Sequence, residues 1–255
     1  MEKSSNIFRF KQFSVVNERS AMKVNTDGVL LGALMTIMPE DHRLLDIGTG
    51  TGIIALMAAQ RTRGQSVHID AIDIDGPSAS EAAANFRNSP WGDVLHAHHA
   101  SLEDFAAMHP DTGHETYPSD CLETYDLIFS NPPYFDNALQ APEERRNAAR
   151  HTSTGLSYRE ILDFAARHLS PAGRVAMVFP SDAEPDLARY ARMSGLHLYK
   201  ITRVRTVPRK APSRIVMEFS RQKNDVPEDT ILTIQDGGQY TQEYLDLMHE
   251  FYLFA

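Results

Sequence analysis

The sequence predicts an α/β fold built on a doubly wound, mostly parallel sheet of seven strands with an antiparallel edge near the C-terminus. Apolar stretches alternate with stretches of helical periodicity over most of the chain. That alternation is typical of βαβ units, and therefore of parallel strands covered by helices on both faces. A glycine-rich turn follows the first apolar stretch, and two strand-like stretches follow each other directly after residue 195.

Four apolar stretches predict the first four strands: HRLLDIG, SVHIDAIDID, DVLHAHHA and YDLIFS. Three helices are predicted between them: GIIALMAAQR, PSASEAAANFRN and SLEDFAAM. Proline in the first turn of the second helix is compatible with a helix start, because that position needs no backbone donor. Residues 109–123 combine prolines, a glycine and polar residues, which predicts a loop.

The second half of the chain continues the alternation. SYREILDFAARHLS has amphipathic helical spacing, GRVAMVF is the fifth strand, and DAEPDLARYARMSG is a helix ended by Gly195. LHLYKITRVRTV and SRIVMEFS predict two antiparallel edge strands, and a short strand and a helix follow. Because no linker interrupts the pattern, we expect a single domain over residues 1–255, with an N-terminal arm (1–26) and a C-terminal strand–helix extension (224–255).

Composition restricts the location and the metal chemistry. The one cysteine, Cys121, cannot form an internal disulfide and excludes cysteine-ligated zinc, which fits a reducing cytoplasm. The N-terminus lacks the apolar core of a secretory signal, and no apolar run is long enough to span a membrane. We interpret the histidines of HAHH, residues 96–99, as solvent-edge residues rather than metal ligands, because no carboxylate partner lies nearby in sequence.

Charge is distributed unevenly along the chain. The net charge is −9, yet residues 66–131 hold twelve acids and one arginine, whereas residues 141–223 hold sixteen basic residues against eight acids. KITRVRTVPRKAPSR, residues 200–214, carries six positive charges and no acid. A solvated face is one interpretation; a surface that contacts nucleic-acid phosphates is the other.

The stretch LLDIGTGTGII places Gly48, Gly50 and Gly52 at the end of the first predicted strand. In an open parallel sheet, ligands bind at the carboxyl ends of the strands. A dinucleotide site would require a glycine where Ile53 stands. Asp46, two residues before the first glycine, suits a positive ligand group, and S-adenosylmethionine offers an ammonium and a sulfonium. A purely structural tight turn is the alternative.

Two further strand ends supply candidate cofactor contacts. The second strand ends in AIDID, where a carboxylate can accept hydrogen bonds from a ribose diol. We assign that role to Asp73; Asp75 is the alternative, and it also suits the N-cap of the helix that starts at Pro77. Ser101 follows the third strand and is assigned to the adenine edge.

The fourth strand ends in SNPPYF, where two prolines stiffen the backbone. An aromatic amino group is a poor nucleophile unless two acceptors hold its hydrogens and aim its lone pair. The side-chain oxygen of Asn131 and the carbonyl of Pro132 can be those acceptors, and Tyr134 offers a face on which a flipped-out base can stack. A proline-rich turn with a buried tyrosine is the structural alternative.

DIGTGTG followed by NPPY resembles the amino-methylating class I S-adenosylmethionine-dependent methyltransferases, which are Rossmann-like. The stretches FRFKQFSVVNERSAMKVNTDGVLLGALM, AARH and YTQEYLDLMHEFYL resemble the bacterial tRNA1(Val) (adenine-N6)-methyltransferase family over nearly the whole chain. The resemblance implies methylation of the adenine 3′ of the anticodon, position 37. It also implies that Thr26 lies near the cofactor's methionine carboxylate, with Lys23 close by. Ser101 departs from it, since related enzymes often have an acid there.

Three other functions use the same fold. Enzymes that methylate a glutamine amide in release factors share NPPY but carry a helical N-terminal domain, which the first twenty-five or so residues do not predict. A DNA adenine methyltransferase usually needs an added recognition domain. A non-catalytic RNA-binding protein would not need Asp46, Asp73 and Asn131. For tRNA, we expect a binding face from residues 200–214 together with basic residues after NPPY, namely Arg145, Arg146 and Arg150.

Overall fold

The computed structural model describes residues 6–20, 22–108, 124–133 and 156–255. Its strands are β1 (Ile7–Arg9), β2 (Ser14–Val16), β3 (Arg43–Ile47), β4 (His68–Asp73), β5 (Leu95–His99), β6 (Tyr125–Ser130), β7 (Leu169–Pro180), β8 (His197–Arg205), β9 (Arg214–Ser220), β10 (Glu228–Thr233), β11 (Gln235–Asp236) and β12 (Gln239–Tyr240). Its helices are α1 (Thr26–Leu34), α2 (Ile53–Arg61), α3 (Gly76–Arg87), α4 (Leu102–Met108), α5 (Tyr158–His168), α6 (Glu184–Met193) and α7 (Gln242–Met248). The predicted loop at 109–123 lies outside the described residues.

The central sheet confirms the predicted doubly wound α/β class. Its strand order is β10-β8-β9-β7-β6-β3-β4-β5, and β7, β6, β3, β4 and β5 run parallel to one another. One apolar core cluster joins the sheet to α1, α2 and α3, and a second joins its other face to α4, α5 and α6. Burial on both faces explains why the central strands are continuous apolar runs in the sequence.

The sheet has eight strands in the described residues rather than the seven predicted, because β10 joins its edge. β10 pairs in parallel with β8, Leu232 is buried, and Lys200 and Arg203 of β8 face acids of β10 at 3.6 and 3.5 Å. The antiparallel strand β9 pairs with both β7 and β8, so it lies between them and not at the edge. β10 comes from the predicted C-terminal extension and belongs to the main sheet. That the whole chain forms one domain remains a prediction.

Helix α1 was not predicted from the sequence. Residues 28–33 are all buried, so the helix is apolar on every side and shows no amphipathic period. Asn25 caps it by accepting the Gly28 N–H at 2.8 Å. Gly32 allows α1 to approach α2 closely, since a Cβ there would lie 2.7 Å from the sulfur of Met57.

The N-terminal aromatics pack against the protein. β1 and β2 form a separate two-stranded sheet, and Phe10 and Phe13 are buried and stacked with ring centroids 4.6 Å apart. Phe8 remains 38% exposed. Lys11 anchors this hairpin to the C-terminal region by donating to the backbone oxygens of His249 and Ala255. Within the described ranges, none of the helices combines the length and the apolar character that crossing a bilayer would require.

Candidate functional site

A cavity of about 560 Å³ lies at the carboxyl ends of β3, β4 and β5, beside the segment that follows β6. Its size is typical of ligand pockets, which occupy roughly 300–1,000 Å³. The strand order reverses between β3 and β6, and such switch points are where open parallel sheets bind ligands. The segment that precedes α1 and the start of α5 contribute further parts of the wall.

The glycine turn after β3 is folded back onto the end of β4. The backbone N–H groups of Gly48 and Thr49 both donate to the Ile72 carbonyl, at 2.9 and 3.0 Å. The Gly50 N–H donates to the Asp73 carboxylate at 2.8 Å. Gly48 and Gly50 have φ of +73° and +57°, so the turn requires residues without a Cβ, and both line the cavity as predicted.

Asp73 lies on the cavity wall and its two oxygens hold different parts of the site. Oδ2 accepts the Gly50 N–H, and Oδ1 accepts the Asp75 N–H at 2.9 Å. Burial raises the pKa of the Asp73 carboxyl, against these two hydrogen bonds. Asp75 accepts the Ser78 N–H at 2.9 Å and caps α3, which confirms the capping role suggested by the sequence.

Asp46 and Gly52, which the sequence assigned to cofactor binding, are not part of the cavity lining. Asp46 is fully buried beneath the turn, where its carboxylate accepts a hydrogen bond from the Thr49 hydroxyl at 2.8 Å. Burial raises the pKa of Asp46 to about 7. Its side chain is not part of the cavity lining, so it supports the turn and does not face a ligand directly.

Gly52 is the second such residue. It is the N-cap residue of α2, with φ of +82°, and a Cβ there would lie 2.4 Å from the ring of Phe86 on α3. It is absent from the cavity lining. The structural reason for this glycine is therefore the close packing of α2 against α3, and the predicted contact of Gly52 with the cofactor is not supported.

The assignments of Thr26 and Ser101 also change in the structure. Thr26 is the first residue of α1 and is not part of the lining; the preceding Asn25 and the predicted neighbour Lys23 are. Ser101 does line the cavity, but its hydroxyl donates to the Asp104 carboxylate at 2.7 Å and accepts the Asp104 N–H. Those bonds fix the start of α4, and they compete with any contact to adenine.

Asn131 lies on the cavity wall and is 7% exposed. Its Nδ2 lies 3.5 Å from Oδ1 of Asn25, which connects the end of β6 to the N-cap of α1. The preceding Ser130 hydroxyl donates to the Ile47 carbonyl at 2.6 Å and ties β6 to β3. Pro133 lines the cavity, whereas Pro132 is buried. Tyr134, together with Arg145, Arg146, Arg150 and Cys121, lies outside the described residues.

Several lining residues were not found from the sequence. Ile74 is 70% exposed at the cavity, directly after Asp73, and offers an apolar surface; its position between two aspartates was the available signal. Ser20 and Asn25 come from the segment before α1. Glu160 of α5 also reaches the cavity and forms a capping box with Ser157. Because Ser20, Asn25 and Glu160 are far from the glycine turn in sequence, no local pattern indicated that they line the cavity.

One of the HAHH histidines, His98, has a carboxylate partner. His98 and His68 lie 2.8 and 3.2 Å from the same oxygen of Asp70, which β4 places beside β5. The partner comes from the neighbouring strand and was therefore not visible near the motif in sequence. In the portion of the chain that the structure describes, no group of three or more His, Cys, Asp or Glu is placed to hold a metal ion.

Comparison with known proteins identifies the family. The family model of the methyltransferase small domain matches residues 25–188. A tRNA1(Val) (adenine(37)-N6)-methyltransferase from Bacteroides fragilis is 41% identical over 98% of this chain and 99% of that protein. The chain belongs to this methyltransferase family. A protein of the same name from Flavobacterium johnsoniae is 40% identical over 97% of this chain and 99% of its own length.

The methyltransferase fold is also shared with solved structures. A predicted O-methyltransferase from Agrobacterium tumefaciens matches with a TM-score of 0.61 at 15% sequence identity, over 88% of this chain and 96% of that chain. At this identity the similarity concerns the fold alone, and it agrees with the doubly wound sheet described above.

In this methyltransferase, most of the basic stretch at 200–214 is engaged within the protein. Arg203 pairs with Glu184 at 2.8 Å, and Arg214 pairs with Asp27 of α1 at 2.9 Å. Lys200 and Arg205 also have partners, on β10. Among the described residues, Arg209 and Lys210 are the members of this stretch without a side-chain hydrogen bond or ion pair, and both are exposed in the β8–β9 loop.

We expect Asp46→Asn to remove a pH dependence from the stability. The folded-state pKa of about 7 lies above the ordinary value of 3.8, so the folded chain keeps this proton between those values. The free energy of unfolding therefore falls as pH rises from about 4 to 7, by at most about 4 kcal/mol, and is constant above that range. Asparagine does not titrate, so the variant should lack this decrease.

Urea unfolding of both proteins at several pH values across that range measures the difference. The exposed Asp93→Asn is the matched control and should keep the wild-type pH dependence. An equal dependence of the free energy of unfolding on pH in wild type and Asp46→Asn would show that Asp46 is ionised in the folded protein throughout this range.

Proposed function

We propose that this protein transfers the methyl group of S-adenosylmethionine to N6 of adenine 37 in tRNA1(Val). One observation carries the proposal: Asn131, from the NPP segment, lies on the wall of the same cavity as Asp73 and the glycine turn. The near full-length similarity to proteins named for this reaction supports the choice of substrate.

The cavity residues suit the cofactor's chemistry. S-adenosylmethionine, when bound, supplies an electrophilic methyl group. Asp73 accepts hydrogen bonds from the ribose hydroxyls, for which each of its oxygens has lone pairs beyond the one used by a backbone N–H. Ile74 provides an apolar surface for the adenine ring. Lys23 and the positive-φ turn bound the part of the cavity next to α1.

The chemical task of the protein is to orient the adenine amino group. The side-chain oxygen of Asn131 and the carbonyl of Pro132 each accept one amino hydrogen, which directs the nitrogen lone pair at the methyl group. The neighbouring Asn25 accepts from Nδ2 of the same amide and supports that orientation. Burial strengthens these hydrogen bonds, because they are made in a site of low dielectric constant. Tyr134 is proposed to stack on the flipped base.

The release-factor alternative rests on the same NPPY chemistry, and family membership favours tRNA. The non-catalytic alternative is disfavoured by a cavity that combines Asp73 with Asn131. We place the reaction in the cytoplasm, where its tRNA substrate is found. No metal ion is required by the proposed chemistry, since the amine attacks without a metal-activated nucleophile.

The direct test incubates the protein with labelled S-adenosylmethionine and tRNA from a strain that lacks this modification, followed by nucleoside identification. N6-methyladenosine at position 37 of tRNA1(Val) is the expected product. Label in a release factor and none in tRNA would establish the protein-substrate alternative, and an absence of cofactor binding would establish the non-catalytic one.

Asn131→Ala should lower methyl transfer by about a hundredfold or more, which corresponds to about 3 kcal/mol of transition-state stabilisation. Cofactor affinity should stay within a few fold, because the interaction with the amine matters most in the transition state. Single-turnover rates and calorimetry measure the two quantities. Asn88→Ala, at the exposed end of α3, is the control. Near wild-type turnover in Asn131→Ala would show that NPPY is only a turn.

We propose the β8–β9 loop as the tRNA-binding face, because it carries the exposed Arg209 and Lys210 and lies at the same carboxyl end of the parallel strands as Asn131. β9 begins beside the end of β7, and β7 runs parallel to β6. The double variant Arg209→Glu/Lys210→Glu should weaken tRNA binding and reduce its salt dependence, because phosphate contacts release counterions. Cofactor affinity should not change.

Arg87→Glu/Arg192→Glu is the charge-matched control. Both residues are exposed near the C-terminal ends of α3 and α6, at the opposite end of the parallel strands. tRNA affinity across a salt series distinguishes the two variants. An equal loss of tRNA affinity in the two double variants would show that net charge, and not the β8–β9 loop, determines tRNA binding.

A further inference from the structure

Helix α3 holds the segment before α1, residues 16–20 and 22–25, through one buried carboxylate. This stretch is called the N-terminal segment below. Glu81 accepts three consecutive backbone N–H groups: Glu18 at 2.9 Å, Arg19 at 2.7 Å and Ser20 at 3.1 Å. Glu81 is 4% exposed and does not line the cavity, so its carboxylate has no direct access to a ligand there. The three donors are an anion-binding arrangement that the protein fills with its own side chain.

One helical turn further along α3, Asn85 makes a second attachment. Its amide pairs with both backbone groups of Val16, accepting the N–H at 2.9 Å and donating to the carbonyl at 3.0 Å. It also donates to the Thr51 carbonyl in the glycine turn, at 2.9 Å. The i, i+4 pair Glu81 and Asn85 therefore joins the N-terminal segment and the glycine turn to the same helix.

The segment held in this way closes the cavity over Gly50. A Cβ on Gly50 would lie 3.3 Å from the Ser20 hydroxyl, so the two pieces of backbone are in close contact. The Ser20 hydroxyl in turn donates to the Met22 carbonyl at 3.0 Å. Lys23, whose side chain donates to the carbonyls of residues 17 and 18, completes this wall. These hydrogen bonds thus fix the part of the wall nearest to Glu81.

We propose that Glu81 is a positioning residue for the cofactor: by holding residues 18–20 against α3, it keeps the N-terminal segment closed over the glycine turn and so determines cofactor affinity. This inference rests on the proposed function, because it takes the cavity to be the cofactor site. Glu81 acts on binding in the ground state and the transition state alike, so it affects cofactor KM and leaves kcat nearly unchanged.

Glu81→Gln tests the proposal with little change in shape. The amide keeps one acceptor oxygen, but it loses the charge and turns a donor towards one of the three N–H groups. We expect the Kd for S-adenosylmethionine and its KM to rise about tenfold, with kcat at saturating cofactor within about twofold. Glu81→Asp keeps the charge at a shorter reach and should give an intermediate Kd. Glu40→Gln, an exposed isosteric change, is the matched control.

Trp91 provides a spectroscopic readout of the N-terminal segment, because it is the single tryptophan and its ring lies 5.8 Å from that of Phe13. Its fluorescence should change in Glu81→Gln and move towards the wild-type signal as the cofactor binds. Lower thermal stability with unchanged Kd in Glu81→Gln or Glu81→Asp would overturn the proposal and leave Glu81 a purely structural role. Failure of the wild-type protein itself to bind S-adenosylmethionine would contradict the proposed function instead.

Discussion

The site depends on one carboxylate at the end of β4. Asp73 accepts the Gly50 N–H through one oxygen and the Asp75 N–H through the other, and so joins the glycine turn to the start of α3. Asp75 is then free to cap α3, whose next turns hold the N-terminal segment through Glu81 and Asn85. Three pieces of chain distant in sequence, namely the glycine turn, the β4–α3 segment and residues 16–20, are thereby fixed to one another by hydrogen bonds within the protein, which is the preorganisation that binding and catalysis require.

Polar groups buried near the cavity have structural roles that composition alone does not distinguish from ligand contacts. Asp46 and Asp73 are both acids at strand ends, yet one is buried beneath the turn and the other lines the cavity. Burial raises the pKa of both carboxyls. The free-energy cost of these buried acids is reduced by hydrogen bonds from Thr49 and from backbone N–H groups, and those same bonds hold the glycine turn.

The parallel sheet, the glycine turn and the end of β4 could be predicted because each depends on local sequence: apolar runs, glycines with positive φ and an acid at a strand end. Helix α1 could not, because apolar residues on every side leave no helical period. Strand β10 was predicted as a strand, but its place beside β8 depends on long-range pairing. Asn25 and Glu81 were missed for the same reason: their partners, Asn131 and residues 18–20, lie about 106 and 60 positions away. Gly52 was assigned to the ligand although Phe86 accounts for it.

The most direct test compares Asp73→Ala with Asp75→Ala by calorimetric titration with S-adenosylmethionine and by turnover at saturating cofactor. If Asp73 holds the ribose and the turn, Asp73→Ala weakens cofactor binding strongly while turnover at saturation largely survives, because the interaction is common to ground and transition states. Asp75→Ala should lose about 1 kcal/mol of stability as a helix cap and keep near wild-type affinity. Unchanged affinity in Asp73→Ala, or a larger loss in Asp75→Ala, would contradict this account of the site.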